Sequence, residues 1–150
     1  EEGHSSGQYL LAQMYANGEG VTQDLHQAGS WYQKAAQGGL PEAQFTLGMM
    51  FQFGSGGNIN LTKAIDWYQK AADQGYAPAQ LNLANLLKQP NTPYFDQIGA
   101  YKWYSLVLRF DLGSPRRIAL PERRKLEKIM SQQDIETAER LAREWTFPPQ

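Results

Sequence analysis

Three of the four tryptophans, Trp31, Trp67 and Trp103, stand 36 residues apart, and each is followed by tyrosine: Tyr32, Tyr68 and Tyr104. The same spacing relates Ala28, Ala64 and Ala100, as well as Gln8, Gln44 and Gln80, without a gap. It also relates Leu11, Leu47 and Leu83, and the short polar column Asp24, Asn60 and Asp96. The first two copies agree further at Gly18/Gly54, Gly20/Gly56, Lys34/Lys70, Ala35/Ala71, Ala36/Ala72 and Gly39/Gly75. A constant period of this length marks a repeat architecture. No unit covers its own apolar face, so neighbouring units must stack to bury it.

Each copy reads as two helices and a turn. Ala28, Trp31, Tyr32, Ala35 and Ala36 follow the i, i+3, i+4, i+7, i+8 pattern of one helical face. The spacing predicts first (A) helices near 6–17, 42–53 and 78–89, and second (B) helices near 25–37, 61–74 and 97–110. Asp24, Asn60 and Asp96 stand where the B-helices open, and their side-chain oxygens suit the exposed N–H groups of a first turn. Gly39 and Gly75 suit left-handed helix ends, and Pro41 and Pro78 suit the first turn of the next helix. Ala12, Gly48 and Ala84 allow a partner helix to approach closely, while the Trp–Tyr pair fills the wider gap.

After residue 111 the period is lost. Pro121 is expected to open a short helix to about Met130, with Leu126, Ile129 and Met130 on one side. Ser131 with Asp134 three residues on reads as a capping box opening a last helix. Ile135, Ala138, Leu141, Ala142 and Trp145 form its apolar stripe, and Phe147-Pro148-Pro149-Gln150 is a frayed or docked tail. Glu2-Gly3-His4 aligns with Gly38-Gly39-Leu40, so the chain is expected to begin in the tail of a preceding repeat of a longer array.

The residues Ala43-Gln44-Phe45-Thr46-Leu47-Gly48, Phe51, Gly54, Gly56, Ala64 and Trp67-Tyr68-Gln69-Lys70-Ala71-Ala72 resemble the Sel1-like repeat, a relative of the tetratricopeptide repeat. Gly18-Glu19-Gly20-Val21-Thr22-Gln23-Asp24 is similar to its inter-helix loop. The resemblance covers roughly residues 1–111, as the tail 1–4 and repeats 5–40, 41–76 and 77–111, with 112–150 as a helical C-terminal cap and tail. The third copy departs from the pattern, with Pro90 and Thr92 in place of the loop glycines and Leu106-Val107-Leu108 in place of Lys-Ala-Ala. The resemblance implies an all-α fold, a right-handed αα superhelix closed by the cap. It implies a non-catalytic adaptor, assembly factor or regulator from a bacterium, exported in many relatives, with the periplasm as the expected compartment. A structural subunit of a larger complex, or an enzyme acting on cell-wall or carbohydrate substrates, are the alternative readings.

Composition narrows the chemistry. The 150 residues hold no cysteine and only His4 and His26, which excludes thiolate metal sites and thiol catalysis in this segment. No metal and no cofactor is expected. Gly18-x-Gly20 and Gly54-Ser55-Gly56-Gly57 follow no strand and lack the residues of a phosphate loop, so they read as turns. Ser55 lacks the strand–turn–helix setting of a nucleophile elbow, and Asn60-Leu61-Thr62 matches a glycosylation sequon in the B-helix cap column.

The net charge of −1 hides an asymmetry: residues 1–99 carry four lysines and eight acids, residues 100–150 ten bases and seven acids. Arg116, Arg117, Arg123, Arg124, Lys125 and Lys128 form a basic cluster without interleaved aromatics. It reads as a solvated helix face or the seat of an acidic protein partner, not as a nucleic-acid site. No membrane insertion is expected, and the unbound chain is expected to be monomeric.

The resemblance implies that the partner is another protein or peptide. In tetratricopeptide-type stacks the A-helices line a concave groove, and the resemblance carries that role to Tyr9, Gln13 and Asn17, to Phe45, Met49, Gln52 and Phe53, and to Leu81, Asn85 and Lys88. The column Tyr9, Phe45 and Leu81 either lines the groove or packs neighbouring helices, and the residues alone leave both open.

Overall fold

A computed structural model describes residues 2–147, with the backbone alone of residues 2 and 3. Among these residues lie eight helices: α1 (Glu2–Asn17), α2 (Leu25–Gln37), α3 (Pro41–Phe53), α4 (Leu61–Asp73), α5 (Ala77–Leu87), α6 (Gln97–Phe110), α7 (Ser114–Glu127) and α8 (Gln132–Glu144). The architecture is all-α, of the αα-repeat solenoid class, as the period requires. The three B-helices open on the expected caps. Asp24 Oδ1 accepts from the backbone N–H groups of His26 and Gln27 at 2.9 and 3.0 Å, Asn60 Oδ1 from Lys63 at 3.0 Å, and Asp96 Oδ1 from Gly99 at 2.9 Å. Each cap residue also donates its own N–H back to the A-helix of its repeat, to the carbonyls of Tyr15, Phe51 and Leu87 at 2.8–2.9 Å. The loop before each B-helix is thus tied down at both ends.

Glycine punctuates the turns where φ is positive. Gly39 and Gly75 stand at +91° and +84°, the expected left-handed ends. In the third copy Asn91 takes a φ of +64° between Pro90 and Thr92, replacing the glycine turn with the residue that best tolerates that region. α1 begins at Glu2, so residues 2–4 belong to its first turn.

The chain divides into two compact units, Glu1–Ala71 and Ala72–Gln150. In the first, Ala35 and Ala36 of α2 pack on Ala43 and Leu47 of α3, with Tyr9 and Leu40 against the cluster. Ala12, Ala28 and Tyr32 form the core of the α1–α2 pair, supported by Tyr15, Trp31 and Met50. Tyrosine, more than tryptophan, fills the gap. Tyr32 and Tyr68 are buried, whereas Trp31 and Trp67 are half-buried under the ammonium groups of Lys34 and Lys70 at 3.8 and 4.1 Å.

The second unit is built on α6, which packs against α5, α7 and α8 and buries Tyr101, Trp103, Tyr104, Leu106 and Val107. The apolar Leu106-Val107-Leu108 that replaces Lys-Ala-Ala belongs to this additional burial. α7 corrects one expectation: it opens at Ser114 with Pro115 in its first turn, and Pro121 lies inside it. Proline lacks the N–H that would reach the carbonyl of residue 117, and that residue is on the exposed side, where water can serve it. α8 opens as expected on Ser131, whose Oγ accepts from the Asp134 N–H at 3.1 Å and donates to Asp134 Oδ2 at 2.7 Å. Ala138 and Ala142 are buried, Ile135 and Trp145 half-buried, and Leu141 is exposed. The rings of Phe110, Trp145 and Phe147 meet at 4.8–5.6 Å, and Phe147 lies on Gly75, where a Cβ would come within 2.3 Å of the ring. The tail is docked as far as Phe147; the remaining residues, 148–150, lie outside the described part.

Candidate interaction surface

In the first unit, the A-helix columns fall on α1 and α3. The Tyr9 ring lies 5.4 Å from that of Tyr32 and the Phe45 ring 5.7 Å from that of Tyr68, both half-buried, while Leu81 on α5 is buried. This column packs each A-helix while showing one edge in the first two copies. Gln13, Met49 and Gln52 are half-buried, Asn17 is exposed with its amide donating to Glu19 at 2.9 Å, and Phe53 is 66% exposed. An aromatic side chain left so open costs free energy that a partner would recover.

The B-helix tyrosines reach these columns from behind, which the residues alone did not reveal. Tyr68 OH donates to Gln52 Oε1 at 2.6 Å. In the second unit Tyr104 OH donates to Asn85 Oδ1, also at 2.6 Å, and burial pushes the Tyr104 phenol above its ordinary range. Each amide is thereby held by its oxygen, leaving its N–H donors directed by a rigid neighbour. The invariance of tyrosine across the three copies was the available signal. Lys88 is less free than its column suggests, because its ammonium is paired with Glu122 of α7.

The basic cluster separates into two groups. Arg116 donates to the Leu108 carbonyl, Arg123 pairs with Glu127 at 3.2 Å beneath Tyr101, and Lys125 pairs with Glu122 at 2.8 Å. Lys125 and Lys88 together hold the Glu122 carboxyl below the usual carboxylate range. Arg117 and Arg124 are exposed seven residues apart on one stripe of α7, and the exposed Lys128 follows as its C-cap. Exposed apolar residues border it at Ile118, Leu120 and Ile129.

His26 and Ser55, far apart in the repeat pattern, line one cleft of ≈ 220 Å³ with Leu25, Gly29, Met50 and Gly56. No carboxylate lines it. Its serine sits in a turn between helices, with Gly54 and Gly56 at φ of +74° and +79°. No helix among the described residues is long and apolar enough to cross a membrane.

A family profile for the Sel1 repeat matches residues 5–40, 41–76 and 77–106. The chain is similar to the crystal structure of a Sel1 repeat protein from Oxalobacter formigenes, at 30% identity and a TM-score of 0.75 over 87% of this chain and 51% of that one. It is also similar to c5321, a protective antigen present in uropathogenic Escherichia coli strains that displays an SLR fold, at 26% identity and a TM-score of 0.69. That match covers 94% of this chain and 37% of the antigen, so the chain spans about half or less of either relative. No curated protein sequence matches it. Three consecutive matched repeats, with caps, turns and junctions repeated in space as in sequence, show that the chain belongs to the Sel1 repeat family.

Proposed function

We propose that this chain is a non-catalytic protein-binding module, an adaptor or regulator that holds a partner protein or peptide on its A-helix columns. Sel1 repeats generally mediate protein–protein interaction. The observation that carries the assignment to these columns is a contrast between columns of one repeat. Packing positions keep their chemistry and are buried, as in Leu47/Leu83, Ala28/Ala64/Ala100 and Tyr32/Tyr68/Tyr104. Gln13/Met49/Asn85 and Asn17/Phe53/Gln89 change their chemistry and stay accessible. Varied chemistry on accessible columns suits a scaffold with its own partner. The exposed Arg117, Arg124 and Lys128 are suited to acidic residues of a protein partner.

The test compares partner capture from host extract by the parent and by a Gln13→Ala, Met49→Ser, Phe53→Ser variant. Gln52 is kept, since its side-chain oxygen accepts from the Tyr68 hydroxyl. A partner that the parent holds and the variant loses, with helicity equal by circular dichroism, is the expected result. Retention by this variant and loss on Arg117→Glu, Arg124→Glu, Lys128→Glu would move the site to α7. Retention by both would overturn the proposal.

A further inference from the structure

The ≈ 220 Å³ cleft between α2 and α3 is lined by Gly29, whereas the same register carries Ile65 in the second copy and Tyr101 in the third. A Cβ on Gly29 would meet only the terminal methyl of Met50, at 3.2 Å, so the space in front of it is open. In the second unit that register is filled. Tyr101 is 1% exposed, its hydroxyl donates to Glu127 Oε1 of α7 at 3.1 Å, and the Arg123 guanidinium lies 5.3 Å over its ring. A ring with a polar tip thus occupies in one unit the place that stands empty in the other.

The cleft has the makeup of a binding site. Its floor is apolar, with Leu47 buried and Met50 and Phe51 half-buried. The unbranched thioether of Met50 adapts to what lies on it and favours an aromatic neighbour. The far wall is the turn after α3, which Gly56 brings so close to α2 that a Cβ there would sit 3.0 Å from the Leu25 carbonyl. The rim carries the exposed His26, Gln33, Ser55 and Asn58, whose side chains make no hydrogen bond among the described residues. Each of the four can donate and accept, and no carboxylate, ammonium or guanidinium lines the cleft. A charged ligand would be desolvated there without a counter-charge, while a neutral ring with hydrogen-bonding edges matches both floor and rim.

We propose that this cleft is a binding site for a neutral aromatic side chain, tyrosine above all, presented by a segment of a partner protein. The proposal rests on the protein-binding reading, but it adds a site outside the A-helix columns, and its test needs no partner.

The experiment adds N-acetyl-tyrosinamide to the isotope-labelled chain and follows the backbone amides by NMR. Saturable shifts at Gly29, Ser30, Met50 and Gly56 are expected, with a Kd of about 1 mM. N-acetyl-alaninamide, which lacks the ring, leaves these amides in place. Gly29→Ala sets a methyl against Met50 and weakens binding about threefold, and Gly29→Ile, the residue of the second copy, weakens it about tenfold or more. Should the isoleucine variant lose helicity, the alanine variant decides, since alanine favours a helix over glycine. No saturable shift up to about 10 mM probe overturns the proposal. Shifts confined to the A-helix columns, the same shifts with N-acetyl-alaninamide, or equal affinity of the parent and Gly29→Ala overturn it too. Failure of partner capture by the A-helix columns leaves the probe shifts in place, so the two readings fail separately.

Discussion

A Cβ placed on Gly48 would lie 2.6 Å from two ring carbons of Tyr68, a distance no packed carbon tolerates. The equivalent positions carry Ala12 and Ala84, both fully buried, so the tight contact belongs to the middle copy alone. Tyr68 cannot simply swing away, being held by Gln52 at its hydroxyl and by Phe45 across its ring. Gly48→Ala therefore sets about 1 kcal/mol of helix propensity gained against about 1–3 kcal/mol of overpacking. The expected result is a net loss of up to about 2 kcal/mol, read from urea unfolding; a gain in stability would show that the ring yields freely. Features of this local kind were legible in the sequence when one stretch of backbone decides them. The Asp24, Asn60 and Asp96 caps and the positive φ of Gly39 and Gly75 needed no knowledge of a neighbour. The Tyr68–Gln52 and Tyr104–Asn85 bonds were not legible, because each joins two helices whose relative rotation no local rule supplies. For the same reason the residues alone left the Tyr9, Phe45 and Leu81 column open between groove and packing.

Between elements, the Gln8, Gln44 and Gln80 column carries the junction from one repeat to the next. Its recurrence was plain in the sequence, but not its purpose, since the acceptor lies eight residues back across a glycine turn. Gln44→Ala removes a buried hydrogen bond and leaves a small void between α2 and α3, an expected loss of about 1–2 kcal/mol. Gln8→Ala in the same chain should change stability by less than about 0.5 kcal/mol, because its amide is half-exposed. Equal losses at both positions in urea unfolding would mean that the column acts within its own helix and not across the junction. Five of the six repeat helices lie within two residues of expectation because period, caps and turn residues agree at their boundaries; α1 begins four residues earlier than expected. α7 departs further: Pro121 was read as a helix start when Pro115 holds that place, and a solvated proline inside a helix leaves no sign in the local pattern. The candidate site was legible as columns of varied chemistry. That Glu122 would reach across to Lys88, or that three of the six clustered cations would be paired, required the fold.

For the whole molecule, the buried tyrosines make stability asymmetric in pH. Burial pushes the Tyr32 phenol up to about 12 in the first unit. In the second, Tyr101 is likewise raised to about 12, chiefly by burial against the opposing pull of Arg123, and Tyr104 goes higher still. In the unfolded chain these phenols ionise near the ordinary 10. Above that pH the unfolded state gives up protons that the folded state keeps, so stability is intact below about 10 and falls as pH rises toward 12. Burial lowers the ammonium of Lys102, which acts in the opposite sense, but it is one group against three phenols. On the acid side Glu122 contributes stability above the ordinary carboxylate value of 4.5 that is lost as pH falls, a small effect for a surface ion pair. The urea midpoint should therefore decline steeply through the alkaline range, with tyrosinate absorbance rising together with the loss of helix. Tyr32→Phe removes one of the titrating groups and keeps the ring, so it should flatten the decline by about one proton's worth of slope while leaving neutral stability nearly unchanged. A midpoint that stays level above pH 10, or a Tyr32→Phe curve parallel to the parent's, would show that these phenols reach solvent in the folded chain.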